Sequence, residues 1–183
     1  MIILESLLFL ICILAISISI AGYGSFINYK IENNFFIDIF LGFIIIASIV
    51  SVIHFFLKID FLISSTIFIL GFFSFLKKKN FNYLKLIQKK NIFYLIIILF
   101  MIPMFLSQKY HEDFGYYHLP YALSFLEEKI VFGFANIDKP FVYNSIWLNL
   151  NPIFFLNEKN FDFLTLPSFL LFLSFIIFSI NKI

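Results

Sequence analysis

Residues 35–56 read FFIDIFLGFIIIASIVSVIHFF, an almost unbroken run of apolar side chains. The apolar core of a lipid bilayer is about 30 Å thick and takes about 20 residues of helix to cross. This run therefore predicts a membrane-spanning helix. Its ionisable side chains, Asp38 and His54, stand near the two ends of the run. We expect both at the membrane interfaces, because a charge at the bilayer centre is costly.

The whole chain shares this composition. Of its 183 residues, 62% are hydrophobic and 13% are charged, whereas soluble domains carry about 25% charged residues. Four more apolar runs bring the expected spans to five, and they lie at about 4–21, 61–76, 91–107 and 163–181. The run at 61–76 is short and would need a thinned bilayer or extended flanking lysines. The sequence predicts an all-α, polytopic membrane protein with about five transmembrane helices.

Charge and cysteine content exclude several functions. The net charge is only +2, too small to indicate nucleic-acid binding. All 13 basic residues are lysine, so a phosphate would be held by point charges and not by the two-pronged guanidinium of arginine. The single cysteine, Cys12, excludes an intrachain disulfide and a metal site built on several thiolates.

Lysine placement predicts the orientation of the helices. Segment 77–90, KKKNFNYLKLIQKK, holds six lysines and no acid, and lysine-rich short loops stay in the cytoplasm. Helix 91–107 would then carry the chain out of the cell. The predicted organisation is four transmembrane helices in 1–107, an extracytoplasmic loop at 108–162 and a fifth transmembrane helix in 163–183.

The long loop begins with a polar cluster, YHEDFGYYHLP, at 110–120. Residues 120–131 then follow the pattern of an amphipathic helix that stops at Gly133. Its apolar face comprises Leu119, Leu123, Leu126 and Ile130. Glu127 and Glu128, on the opposite face, are expected to be solvated and make the segment too polar to span. We expect this helix to lie flat on the outer membrane surface or against other helices.

Segment 136–156, NIDKPFVYNSIWLNLNPIFFL, interrupts its apolar residues with asparagine and proline. These interruptions make it a poor lipid-facing span. The pattern favours an interfacial or protein-buried helix, with Tyr143 and Trp147 at the depth of the lipid headgroups.

Three stretches of the loop together resemble the GT-C superfamily of membrane glycosyltransferases: EDFGYYHLPYALSFLEE at 112–128, VFGFANID at 131–138 and FVYNSIW at 141–147. The resemblance covers about residues 91–160. It implies transfer of a sugar from a polyprenyl-phosphate carrier on the extracytoplasmic face of the bacterial inner (cytoplasmic) membrane. Such enzymes usually have more helices, so we expect the chain to be the N-terminal part of a longer protein.

The resemblance also implies roles for individual residues. Asp113 or Glu112 would be the catalytic carboxylate, taking the proton of the acceptor hydroxyl as it attacks the anomeric carbon. The departing lipid phosphate needs positive charge, from lysine or from a divalent metal ion. The expected substrate-binding residues are Lys109 and Lys129 for the phosphate, Asn144 and Ser145 for sugar hydroxyls, and His118. The candidate metal ligands are Glu112, Asp113 and His118.

Other interpretations stay open. Glu112 and Asp113 are equally compatible with a solvated loop at the membrane boundary. The chain is also compatible with a non-enzymatic accessory protein of a cell-surface polysaccharide system, working with partner membrane subunits, or with an inactive truncated product. A polysaccharide polymerase or flippase is less favoured, because those proteins usually place basic residues in the pathway and this chain has no arginine.

Overall fold

The structure, a computed structural model, describes residues 2–27, 34–77, 97, 100–101, 114–133, 147–155 and 164–182. Within these residues the regular elements are all helical. They are α1 (Ile2–Ile27), α2 (Phe35–His54), α3 (Phe61–Lys77), a π-helical turn (Phe114–His118), α4 (Leu119–Glu127), a 3₁₀ helix (Leu148–Phe154) and α5 (Leu166–Lys182). The all-α class predicted from the sequence is confirmed for this part of the chain.

Two helices are long and apolar enough to cross a membrane, α1 through its segment Leu10–Ile27 and α2 over its whole length. Helices α3 and α5 are also apolar but have only 17 residues each. Helices therefore stand at four of the predicted spans. The remaining span, 91–107, lies outside the described residues except for three helical positions, 97, 100 and 101. The total of five spans stays a prediction.

Helix α1 continues well past residue 21, where the sequence predicted its end. It runs through AGYGSF to Ile27. Glycine disfavours helix by up to about 1 kcal/mol per residue, and the helix nevertheless includes Gly22 and Gly24. Contacts between helices override that local preference at this site.

One compact unit comprises residues 1–45, 66–98 and 170–183, and its described helices approach closely at glycines. A Cβ atom on Gly24 would collide with the backbone oxygen of Asp38, and a Cβ atom on Gly42 would collide with that of Ile20. Small residues at such contacts let helix backbones pack directly against each other, as is common in membranes. Glycines 24 and 42 thus set the separation of α1 and α2.

The polar side chains of α1 and α2 stand where the sequence placed them but are buried. Asp38 lies in the first turn of α2 and is 0% exposed, and His54, the last residue of α2, is 4% exposed. In α1, the Tyr23 hydroxyl donates to the backbone oxygen of Ile67 at 2.7 Å. Position near a helix end is therefore confirmed for Asp38 and His54, while protein, rather than open interface, surrounds both side chains.

A second compact unit comprises residues 46–65 and 99–169. Its core includes Ala122 of α4, Phe155 and Leu164, and the apolar face of α4 packs against them. The packed side chains from α4 include Leu119, Leu123 and Leu126, three of the four residues that the sequence placed on one face. The amphipathic helix is therefore confirmed, and its apolar face is in contact with protein.

Helix α4 ends at Glu127, earlier than the predicted end at residue 131. Glu128 turns to extended backbone with φ −132° and ψ 156°, and the amide of Ile130 donates to the backbone oxygen of His54 at 3.0 Å instead of continuing the helix. Gly133 has a φ of 83°, a conformation that glycine adopts without strain. The predicted helix stop at Gly133 is therefore wrong: the helix ends earlier, and Gly133 instead lies in a turn after a non-helical segment.

Within segment 136–156 the structure describes residues 147–155. Its 3₁₀ helix buries Leu150, Ile153 and Phe154, each 0% exposed. The protein-buried alternative is therefore confirmed for Leu148–Phe154. The depth predicted for Trp147 stays a prediction, and Tyr143 lies outside the described residues.

The close approach of α1 and α2 can be tested at Gly42. We expect Gly42→Ala to lower the free energy of unfolding by about 1–3 kcal/mol, because a methyl group overpacks this contact. The melting temperature of the purified protein in detergent measures the change. Gly115→Ala is the matched control, since a Cβ atom there meets nothing within 4 Å. Equal melting of the two variants would show that the helices do not depend on this contact.

Candidate functional site

The structure describes two of the site residues expected from the sequence. His118 is exposed at the end of the π-helical turn, and Lys129 is exposed just after α4. The nine residues of α4 lie between them, a separation of about 13 Å at 1.5 Å per residue. The two side chains are therefore not brought together around one small group. Five other expected residues lie outside the described residues: Lys109, Glu112, Asp113, Asn144 and Ser145.

A cavity of about 410 Å³ lies within the second unit, where α2 and α4 end. Its walls are mainly apolar, with Phe55, Phe125 and Phe132 among the lining residues. Its charged lining residues, Glu127, Glu128 and Lys129, are all exposed. Cavities of this size are typical of small-molecule sites, which are mainly apolar with a few polar groups. The arrangement suits a ligand that is part apolar and part charged.

His54 forms one wall of this cavity. Its ring stacks on that of Phe125, with centroids 3.5 Å apart and an interplanar angle of 17°. Its Nε2 atom lies 3.1 Å from the backbone oxygen of Glu128. Because a carbonyl oxygen can only accept, Nε2 carries the hydrogen, and Nδ1 of the neutral ring is an acceptor. Among the described residues, Nδ1 is buried without a hydrogen-bond partner.

Backbone hydrogen bonds join the chain segments that leave α2 and α4. The amide of Ile59 donates to the oxygen of Phe125 at 2.7 Å, and the amide of Ile130 donates to the oxygen of His54 at 3.0 Å. Neither donor lies in a helix, so these bonds satisfy polar groups that the helices leave unpaired. Together with the His54 ring, they hold the cavity wall against the end of α2.

Asn149 links three elements of the second unit. The Tyr121 hydroxyl of α4 donates to Asn149 Oδ1 at 3.0 Å, and Asn149 Nδ2 donates to Ser51 Oγ of α2 at 3.0 Å. Asn149 itself lies in the 3₁₀ helix and is 7% exposed. Burial raises the pKa of the Tyr121 hydroxyl, so it stays protonated and remains a donor. The side-chain amide of Asn149 thus links α4 to α2 through two directional hydrogen bonds.

The expected divalent metal finds no support in the described residues. They contain no group of three or more histidine, cysteine, aspartate or glutamate side chains that could hold a metal ion, and such a site needs several converging ligands. Glu112 and Asp113 lie outside these residues, and His118 is exposed. The metal therefore stays a prediction from the resemblance alone.

Sequence reasoning did not assign His54, Tyr121 or Asn149 to a site. His54 was visible as an ionisable residue at the end of an apolar run, which in a membrane segment is a signal of function or of a specific partner. Asn149 was visible as a polar interruption of a predicted buried helix. Neither signal names the partner, because the contacts join positions 98 and 74 residues apart in the chain.

Comparison with known proteins places the chain in one family. The family model described as Domain of unknown function (DUF8201) matches residues 4–183, nearly the whole sequence, so the chain belongs to that family. No curated protein and no solved structure matches the chain. Function must therefore be inferred from the residues and from the geometry of the cavity.

The contribution of Asn149 can be measured by replacing it with leucine, which has a similar volume. We expect Asn149→Leu to destabilise the protein by about 1–3 kcal/mol, because it removes the acceptor for the Tyr121 hydroxyl and the donor to Ser51. Asn151→Leu is the matched control: Asn151 is half-buried in the same 3₁₀ helix and takes no part in the bonds that join Tyr121, Asn149 and Ser51. Thermal unfolding should separate the two, and identical melting curves would contradict the proposed link.

Proposed function

We propose that this member of the DUF8201 family is an integral membrane protein that takes part in transfer of a sugar from a polyprenyl-phosphate carrier on the extracytoplasmic face of the membrane. The observation that carries the proposal is the cavity beside α4, with mainly apolar walls and charged residues at its edge. A lipid-linked sugar has the same division into apolar chain and polar head. The proposal also rests on the resemblance of this loop to GT-C glycosyltransferases.

Exposed apolar side chains support the membrane location. Phe40, Ile44 and Val52 fall at multiples of four residues along α2 and are each more than 50% exposed, as are Phe172 and Phe175 of α5. Residues four apart lie on the same face of a helix. Water-soluble proteins rarely leave such large apolar patches uncovered, whereas lipid chains would solvate these faces.

The cavity lining supports a lipid-linked ligand rather than a free sugar. A free sugar is usually held by several directional hydrogen-bonding groups, while this cavity offers mainly aromatic and aliphatic surface. Among the described residues, Lys129 is the only lysine in the lining. A phosphate next to it would gain a favourable charge interaction, which the carboxylates of Glu127 and Glu128 in the same lining oppose. We assign the cavity to the apolar part of the carrier, with Lys129 near its phosphate.

The proposed chemistry needs one proton acceptor. The acceptor hydroxyl oxygen forms a bond to the anomeric carbon, and the bond from that carbon to the phosphate oxygen breaks. The phosphate leaves with the electron pair, and the hydroxyl proton passes to a carboxylate. Asp113 or Glu112 would take this proton. Asp113 directly precedes Phe114, the first residue of the π-helical turn that leads into α4.

Transfer should depend on the acidic pair. Membranes from cells that express the full reading frame would be supplied with labelled polyprenyl-phosphate sugars. The incorporation of labelled sugar into lipid or polymer would be measured. We expect Glu112→Gln combined with Asp113→Asn to reduce the rate by at least about 100-fold, the usual contribution of a general base.

The matched control replaces two other acids of the same predicted loop, Glu158→Gln combined with Asp162→Asn, and should keep wild-type transfer. Unchanged transfer in the Glu112/Asp113 variant would show that this pair has no catalytic role and belongs to a solvated loop. A wild-type protein that accumulates but transfers no sugar from any donor would favour the accessory role in a polysaccharide system.

The proposed orientation can be tested with single cysteines in a Cys12→Ser background, which has no other cysteine. In intact cells, we expect a membrane-impermeant maleimide to label Glu127→Cys, because Glu127 is exposed and is proposed to face outward. Lys79→Cys, in the lysine-rich segment, should react only after the membrane is opened. The reverse pattern would refute the orientation and with it an extracytoplasmic reaction.

A further inference from the structure

The end of α2 and the end of α4 meet at one side chain, His54. The imidazole makes two separate contacts with the cavity wall: its face stacks on Phe125, 3.5 Å between centroids, and its Nε2 atom lies 3.1 Å from the oxygen of Glu128. Phe125 belongs to the part of the wall that α4 forms, and Glu128 is the first residue of the non-helical segment after α4. Both contacting residues line the cavity.

The two contacts make different demands on residue 54. Stacking on Phe125 requires a flat ring, and the Glu128 oxygen requires a hydrogen-bond donor at the position of Nε2. Among the usual side chains near this size, phenylalanine supplies only the ring and glutamine supplies only the donor. Histidine with its hydrogen on Nε2 supplies both, which explains a buried imidazole at the end of an apolar helix.

We propose that His54 is a positioning residue that holds the wall of the ligand cavity in its binding shape. Its ring fixes Phe125, and its Nε2–H group fixes the segment that carries Lys129. The backbone bonds Ile59 to Phe125 and Ile130 to His54 run beside these contacts and depend on them for their alignment. That the cavity ligand is a lipid-linked sugar rests on the proposed function, whereas the positioning of the wall does not.

Four forms of residue 54 separate the two contacts: wild type has both, His54→Phe keeps the ring, His54→Gln keeps the donor, and His54→Ala keeps neither. Hydrogen–deuterium exchange of the full-length protein in nanodiscs reports on two amides. The Ile59 amide is bonded to the Phe125 oxygen, and the Ile130 amide is bonded to the His54 oxygen. Exchange rates rise when such bonds open locally.

We expect His54→Ala to speed exchange at both amides by about tenfold, the effect of losing roughly one hydrogen bond's worth of local stability. His54→Phe should speed exchange mainly at Ile130, and His54→Gln mainly at Ile59. Rates within about twofold of wild type at both amides in all three variants would overturn the proposal. If His54→Ala does not accumulate, His54→Phe and His54→Gln still test the proposal, because they should speed exchange at different amides. The same exchange pattern in these two variants would overturn the assignment of separate roles to the ring and the Nε2–H group.

Transfer kinetics then connect the wall to the ligand. With labelled polyprenyl-phosphate sugar, His54→Ala should raise KM for the lipid-linked donor by about tenfold and leave kcat within about threefold, because a misplaced wall weakens binding without removing a reacting group. A fall in kcat with unchanged KM would contradict a positioning role. If the wild-type protein transfers no sugar, the proposed function fails, while the exchange rates still decide the role of His54.

Discussion

A backbone amide or carbonyl group away from water must have a hydrogen-bond partner, and the second unit is organised around this requirement. Within α2 and α4 the helix itself supplies the partners. Where these helices end, the freed carbonyl groups of Phe125 and His54 accept from the amides of Ile59 and Ile130, which lie outside the helices. An apolar environment makes such pairing obligatory because unpaired groups cost several kcal/mol there. The cavity lies where these two ends are tied together.

The same requirement applies to the polar side chains that are buried near the end of α2. His54 contacts the non-helical segment that begins at Glu128, at 3.1 Å, and Asn149 joins the side chains of Tyr121 and Ser51, at 3.0 Å each. In the first unit the problem is solved differently. There the helices are continuous, and glycines allow their backbones to lie directly against each other.

The sequence alone predicts what depends on local composition. The existence of α2 follows from its apolar run, and the apolar face of α4 follows from residues spaced three and four apart. The ends of these helices depend on distant partners. Helix α4 stops at Glu127 because the segment that follows it bonds to His54. The first residue of that segment, Glu128, lies 74 residues after His54 in the chain. Helix α1 likewise extends through two glycines because α2 and α3 lie against them.

For the candidate site, the sequence named residue types but not their neighbours. Lys129 was chosen as a cation near the acidic pair, and the structure places it beside a mainly apolar cavity instead, with the length of α4 between it and His118. His54 and Asn149 carried no pattern at short range, so single-sequence reasoning treated them as interface residues or interruptions. Their importance comes from contacts across 74 and 98 residues, which periodicity cannot reveal.

The length of α4 constrains how the proposed reaction would be divided. A small headgroup that contacts Lys129 does not reach His118, which lies about 13 Å away along the helix. An extended lipid-linked sugar is long enough to occupy both ends. The cavity end offers mainly apolar surface, with Lys129 and two glutamates as its charged groups, so it suits recognition of the carrier lipid better than recognition of the sugar. The N-terminal end of α4, which follows Glu112 and Asp113 in the sequence, would then recognise the sugar. Under the proposed function, carrier and sugar are recognised at opposite ends of one helix, and His54 acts only on recognition of the carrier.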